Sequence, residues 1–170
     1  TPRDEYFPVL YVEPMAGNEK AFGLDSTANP QSRASKQWAR VHAKPSVSER
    51  LTLAQRGDSE AGVLLSIPVY GELEHETHPE RLTGFISTVL LPARTVQLAL
   101  QGFDSRLFGL TLKDLGAAPE RAELFVQPVS NSVHHSYGLT HWQRDFQFCD
   151  RAWRLEISAD ASFIAKHGSI

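Results

Sequence analysis

Three stretches, residues 47–55, 62–70 and 81–91, alternate in side-chain type, and this two-faced pattern constrains the fold more than anything else in the chain. Side chains on a strand point alternately to opposite faces. In the first stretch Val47, Leu51 and Leu53 oppose Ser48, Arg50, Thr52 and Ala54. In the second, Val63, Leu65, Ile67 and Val69 oppose Leu64, Ser66, Pro68 and Tyr70. In the third, Phe85 and Ser87 share a face. The bulky aliphatic faces read as packed core. The opposite faces carry small or hydroxylated residues, and Arg50 is the one long charged residue there. A solvated sheet face is the plain alternative, but such a face is usually rich in Lys, Glu and Arg. Small side chains with hydroxyls and one aromatic fit the lining of a small-molecule cavity.

The rest of the chain sets these strands in a frame. Residues 5–13, "EYFPVLYVE", read as a further strand, followed by a loop over 14–28. Asn29-Pro30 supplies a helix cap and a first-turn proline, and Ala34, Trp38 and Val41 give an apolar stripe over a helix at 30–43. Pro92 opens a second helix to residue 103, with Val96, Ala99, Leu100 and Phe103 on its apolar side. Strands follow at 106–114, 121–128, 139–149 and 152–159, the last two as a hairpin, and a short helix at 160–167 closes the chain. Strand-rich runs with few helices indicate an α+β fold with antiparallel sheets. The helix at 92–103 is the joint between two halves, 1–91 and 92–170, and the second half is expected to bury Phe108, Phe125, Phe146 and Trp153.

Composition excludes several functions. The 170 residues are 41% hydrophobic and 22% charged, with a net charge of -3 and no basic cluster. That speaks against nucleic acid and anionic lipid as partners. The longest apolar stretch, around "GVLLSIPVY", is too short to span a bilayer, and the opening "TPRDEYFP" has no signal-peptide core, so the chain reads as a piece of a larger protein. Neither a P-loop, a G-x-G-x-x-G nor a G-x-S-x-G occurs. Histidines cluster in "EHETH" (His75, His78) and "HHSYGLTH" (His134, His135, His141), without the spacing of a zinc helix. They read as solvated loop residues, so no metal and no cofactor is expected. The single cysteine, Cys149, at a hairpin tip, reads as an inert thiol. Asp25 fits either a ligand anchor or a turn residue that caps the next segment.

The blocks "EYFPVLYVEPMAGNEKAFGLD", Arg33, "LTLAQ", "GVLLSIPVYG" and "LTGFIST", in that order, resemble the CHASE domain. The resemblance covers residues 4 to 165. It implies the extracytoplasmic sensor module of bacterial receptor histidine kinases and diguanylate cyclases, and of plant cytokinin-receptor kinases. It implies two tandem PAS-like α+β subdomains behind a stalk helix, flanked by transmembrane helices outside this chain. Residues 1–91 would be the membrane-distal, ligand-binding subdomain and 92–170 the membrane-proximal one. The stalk helix and the first distal strands would precede residue 1, and the distal sheet would then have an unpaired edge. The family is not enzymatic in this region. It implies a periplasmic location, a small-molecule ligand, a homodimer in the full-length receptor and an output domain beyond the membrane.

The ligand positions of the family fall on residues of this chain one by one. Ser32 stands where the cytokinin-binding members have a carboxylate, next to Arg33, which removes the purine partner. Ser48 and Ser66 fall at the two threonine positions, Ala54 at the backbone-contacting position, and Phe85 at a pocket tyrosine. Pro68 and Ser87 complete the face, and the loop 14–28 is expected to bring Met15, Phe22 and Asp25 over it. The function this implies is ligand sensing; the alternatives are a ligand-free dimerisation module and a metal-dependent hydrolase.

Overall fold

The computed structural model describes residues 3, 5–52, 61–71, 81–104, 108–129 and 140–159. Two antiparallel sheets and a few helices make it an α+β fold. The chain divides into two compact units, Thr1–Leu90 and Leu91–Ile170.

In the first unit, helix α1 (Pro30–His42) starts where Asn29 accepts from the backbone N–H groups of Gln31 and Ser32. It stops at Ala43, whose φ of 51° is left-handed. Its sheet is built on β3 (Ala61–Tyr70). β4 (Leu82–Leu90) pairs along one edge of β3, and the short β1 (Ser46–Val47) and β2 (Leu51–Thr52) pair with the other. All pairings are antiparallel. The β4 register sets Leu64, Ser66 and Pro68 opposite Val89, Ser87 and Phe85, and Ile67 opposite Ile86. β1 ends at the register of Ser66, so Pro68 sits where β3 has one described neighbour, and its missing N–H costs no ladder bond there.

Three expectations change in this unit. Residues 5–13 are not a strand; apart from one bridge, Pro8 to Asp25, the segment is extended and pinned by Val9 N–H to Leu24 and Ser26 N–H to Phe7. Tyr6, Leu10 and Tyr11 face solvent, so among the described residues no sheet buries this β-prone sequence. The stretch 47–55 breaks after Val47 because the Ser48 hydroxyl accepts the Leu64 N–H in place of a ladder carbonyl. The buried stripe of α1 is Ser32, Ser35, Lys36 and Ala39, not Ala34, Trp38 and Val41. Small residues let the helix approach the sheet closely, while Trp38 stacks on His42 at 4.1 Å and Val41 is exposed.

In the second unit, β5 (Phe108–Asp114), β6 (Glu123–Gln127), β7 (Thr140–Phe148) and β8 (Arg151–Ala159) form a sheet of order β6-β5-β8-β7. A one-turn helix, α3 (Pro119–Ala122), occupies the start of the expected strand 121–128. Helix α2 (Pro92–Ala99) ends short of residue 103 and lays Val96, with Leu100, on Phe108, Leu110 and Ala159. Phe108 and Trp153 are core and Phe125 is half-buried, but Phe146 is 40% exposed. It sits on the edge strand β7 and meets Trp153 only edge-on. The expected helix at 160–167 lies outside the described residues.

Candidate functional site

The hydroxylated face of the first sheet is where the expected site residues gather, and α1 lies on it. The Ser46 hydroxyl donates to the Ser35 carbonyl and the Tyr70 hydroxyl to the Arg40 carbonyl, which fixes the helix over β1 and β3. Sequence pattern pointed to a cavity on this face. At Ser66 the structure has a packed contact instead: Ser66 is fully buried under the helix.

What covers Ser66 is Lys36, the residue that sequence reasoning missed. Its Nζ donates to Ser66 Oγ at 3.2 Å and to Ser87 Oγ at 2.7 Å, and the two hydroxyls lie 3.1 Å apart. It stands 4.6 Å from the centre of the Phe85 ring, over its face. Phe7 packs edge-on against that ring at 5.1 Å. Lys36 is 2% exposed, and no carboxylate among the described residues pairs with it. A buried ammonium faced by two neutral hydroxyls and an aromatic ring keeps partial dipoles but no counter-charge. Burial lowers its pKa from 10.5 to about 8. A lysine inside a stripe of small residues, Ser32, Ser35 and Ala39, was the available signal, and the louder Trp38 stripe masked it.

The face is half covered. Ser66 is sealed, while Ser87 and Val89 on β4 are open to solvent. Beside α1 this leaves a shallow strip with Phe85, Ser87 and Val89 as its floor and the Lys36 ammonium at its edge.

The other predicted residues form a separate cluster at the loop–helix junction. Asp25 Oδ1 accepts from Phe7 N–H, Thr27 N–H and the Thr27 hydroxyl, and Oδ2 pairs with Arg3. Both carboxylate oxygens are used by Thr27, Phe7 and Arg3, which favours the turn-residue reading of Asp25. Ser32 donates to the Ser26 carbonyl at 2.5 Å, and Arg33 Nε to the Thr27 carbonyl at 2.9 Å. Met15 and Phe22, expected over the sheet, are exposed. Ser48 spends its hydroxyl on the backbone: it accepts from Leu64 N–H and donates to the Glu49 carbonyl. Ala54 lies outside the described residues, as do His75, His78, His134 and His135; His141 is exposed on β7. Among the described residues no group of His, Cys, Asp and Glu is placed to hold a metal. Cys149 takes a left-handed turn position, and partial burial with the neighbouring Asp150 charge pushes its thiol pKa up.

With two antiparallel sheets and this helix-covered face in place, the family comparison is decisive. The profile of the CHASE domain family matches residues 1–125. The chain belongs to the CHASE domain family. CHASE domains are extracytoplasmic sensor modules of signalling receptors, and the family is not catalytic in this region. No curated protein matches the chain. Among the described residues no helix is long and apolar enough to cross a membrane. The CHASE match spans all of the first unit, including Lys36, Ser66, Phe85 and Ser87.

A cleft of about 530 Å³ lies in the second unit, lined by Thr111, Gln143, Glu156 and Ser158 among others. It contains none of the residues that sequence reasoning assigned to a site.

Proposed function

We propose that this chain is the periplasmic ligand-sensing part of a bacterial transmembrane receptor, a histidine kinase or diguanylate cyclase, and that the first unit holds the ligand. In this reading the first unit is the membrane-distal, PAS-like subdomain and the second the membrane-proximal one. The receptor acts as a homodimer, and ligand occupancy shifts the population of two arrangements of the domain. One observation carries the reading: the half-open strip on β4, with a buried cation at its edge and an aromatic floor. A few convergent polar groups on an apolar floor are what a small-molecule site needs. Of the residues foreseen as ligand contacts, Phe85 and Ser87 belong to this strip, and Ser66 lies sealed behind it, bonded to Lys36. Asp25, Ser32, Arg33 and Ser48 instead spend polar atoms on neighbouring backbone and on Arg3. Pro68 stands beside the strip, opposite Phe85.

A thermal-melt screen of small molecules tests the site, with Ser87→Phe as the blocked form. Ser87 is exposed, so the bulkier ring fills the strip without overpacking a core. Compounds that raise the melting temperature of the wild type should leave Ser87→Phe unmoved. If the blocked variant responds equally, the ligand sits elsewhere. The full reading frame tests the placement: apolar runs of about 20 residues on both sides, followed by a kinase or cyclase, are expected.

A further inference from the structure

The Lys36 ammonium has no anionic partner among the described residues. It has three N–H donors. Two go to Ser66 and Ser87, and the ring of Phe85 lies 4.6 Å from the nitrogen. Three arginines of this unit are committed: Arg3 pairs with Asp25, Arg40 with Glu5, and Arg33 donates to the Thr27 and Ala28 carbonyls. Their partners are carboxylates or backbone carbonyls of the turn before α1. Lys36 alone among these cations is buried and faced by neutral groups. Removing an ammonium from water without an anion is costly, and the cost falls when a counter-charge arrives.

The route to it is asymmetric. Ser66 is sealed, but Ser87 is exposed and bonds the same nitrogen at 2.7 Å. A group that displaces or joins the Ser87 hydroxyl therefore reaches Nζ from the solvent side without opening α1. It would also receive the Ser87 O–H as a second donor. A carboxylate or phosphate oxygen satisfies both; a neutral carbonyl or a cation leaves the charge uncompensated. The adjoining floor of Phe85 and Val89 suits an apolar body attached to that head group.

We propose that the ligand of this strip carries an anionic oxygen group, a carboxylate or a phosphate, which docks beside Ser87 and pairs with Lys36. The inference rests on the sensing function proposed above and names its ligand class.

Acetate and inorganic phosphate serve as head-group probes, titrated at constant ionic strength against sodium chloride. One or both should raise the melting temperature of the wild type saturably, and the arm that responds separates carboxylate from phosphate. Lys36→Met should weaken that response by about ten- to a hundred-fold, the contribution of a charge-assisted contact. The Nζ resonance of Lys36 in the wild type gives a readout that does not depend on the variant folding: it should shift with the effective anion and saturate at the same concentration. No saturable response to either anion, no movement of the Nζ signal, or an equal response in Lys36→Met overturns the inference. Uncharged polyols and nucleobases form a third arm. If they stabilise the wild type but not Ser87→Phe while both anions fail, ligand sensing stands and the anionic class falls. If all arms fail, both readings fall.

Discussion

Each unit of the molecule buries a charged side chain, and the two are treated in opposite ways. In the second unit Asp114, fully buried, receives Arg151 Nε at 2.5 Å and the Gly116 N–H at 3.1 Å. The charge is paired and part of a turn. In the first unit Lys36 is as deeply buried but, among the described residues, bonds the hydroxyls of Ser66 and Ser87 and faces a phenyl ring. The helices differ in the same sense. α2 contributes Val96 to the core cluster of the second sheet, whereas α1 covers hydroxyls with a stripe of small residues and one lysine. The second unit follows the ordinary rule that buried charge is compensated. The first breaks it in one place, and rules broken in one place mark function more often than carelessness.

The largest expected effect is in the second unit. Asp114→Ala removes the buried carboxylate that receives Arg151 and the Gly116 N–H, and should cost about 3–5 kcal/mol of stability, measured by urea denaturation. A loss below about 1 kcal/mol would show that solvent already compensates Arg151, and the contrast between the units would collapse.

Lys36→Met should act in the opposite direction. It keeps the linear side chain and removes the uncompensated charge, so the unliganded protein should gain about 1–3 kcal/mol at pH 7. A clear loss would make Lys36 a structural hydrogen-bond donor whose hydroxyl contacts outweigh its desolvation.

The same contrast has a pH signature. Burial lowers the Lys36 pKa from 10.5 to about 8. Below about pH 8 the folded and unfolded chains both hold the proton, and the penalty is fully present. Between about pH 8 and 10.5 the folded protein has released a proton that the unfolded chain keeps, so this group raises stability as pH rises. The facing side chains, Ser46 from β1, Ser66 from β3 and Ser87 and Phe85 from β4, do not titrate in that range. The wild type should therefore gain up to about 2–3 kcal/mol over this window relative to Lys36→Met, read from paired thermal melts. Parallel pH profiles for the two proteins would remove Lys36 as a titrating group.

How far these features could be read in advance follows the physics of each element. The α+β class, α1 within a residue of its C-terminal end, β3 and β4 came through because caps, prolines and strict alternation are local signals. Residues 5–13 misled because β-branched and aromatic content describes a half-buried surface, and among the described residues no strand partners them. The buried stripe of α1 was invisible for a related reason: Ser32, Ser35 and Ala39 are small, and periodicity is read from large apolar residues. Ser66, Phe85 and Ser87 share one sheet face, as alternation predicts. Lys36 was missed, because its position depends on which side of the helix meets the sheet, and that is a tertiary choice.

The smallest expected effect tests the remaining difference between the sheets. The aliphatic face of the first sheet, expected as core, is buried at Val47 and Val63 yet open at the cross-strand pair Ile67 and Ile86, which are 42% and 65% exposed. The second sheet has its core cluster beneath Val96 and Leu100. If the Ile67–Ile86 end faces solvent, Ile86→Thr removes little buried area and keeps a β-branched side chain suited to a strand. Its stability should change by no more than about 0.5 kcal/mol. If instead that end is covered in solution, by a second copy of the chain for instance, the substitution deletes a buried methyl and sets a hydroxyl in its place. The loss would then exceed about 1 kcal/mol and would grow with protein concentration. Denaturation at two concentrations tenfold apart separates these outcomes, because only a face buried between molecules couples stability to mass action.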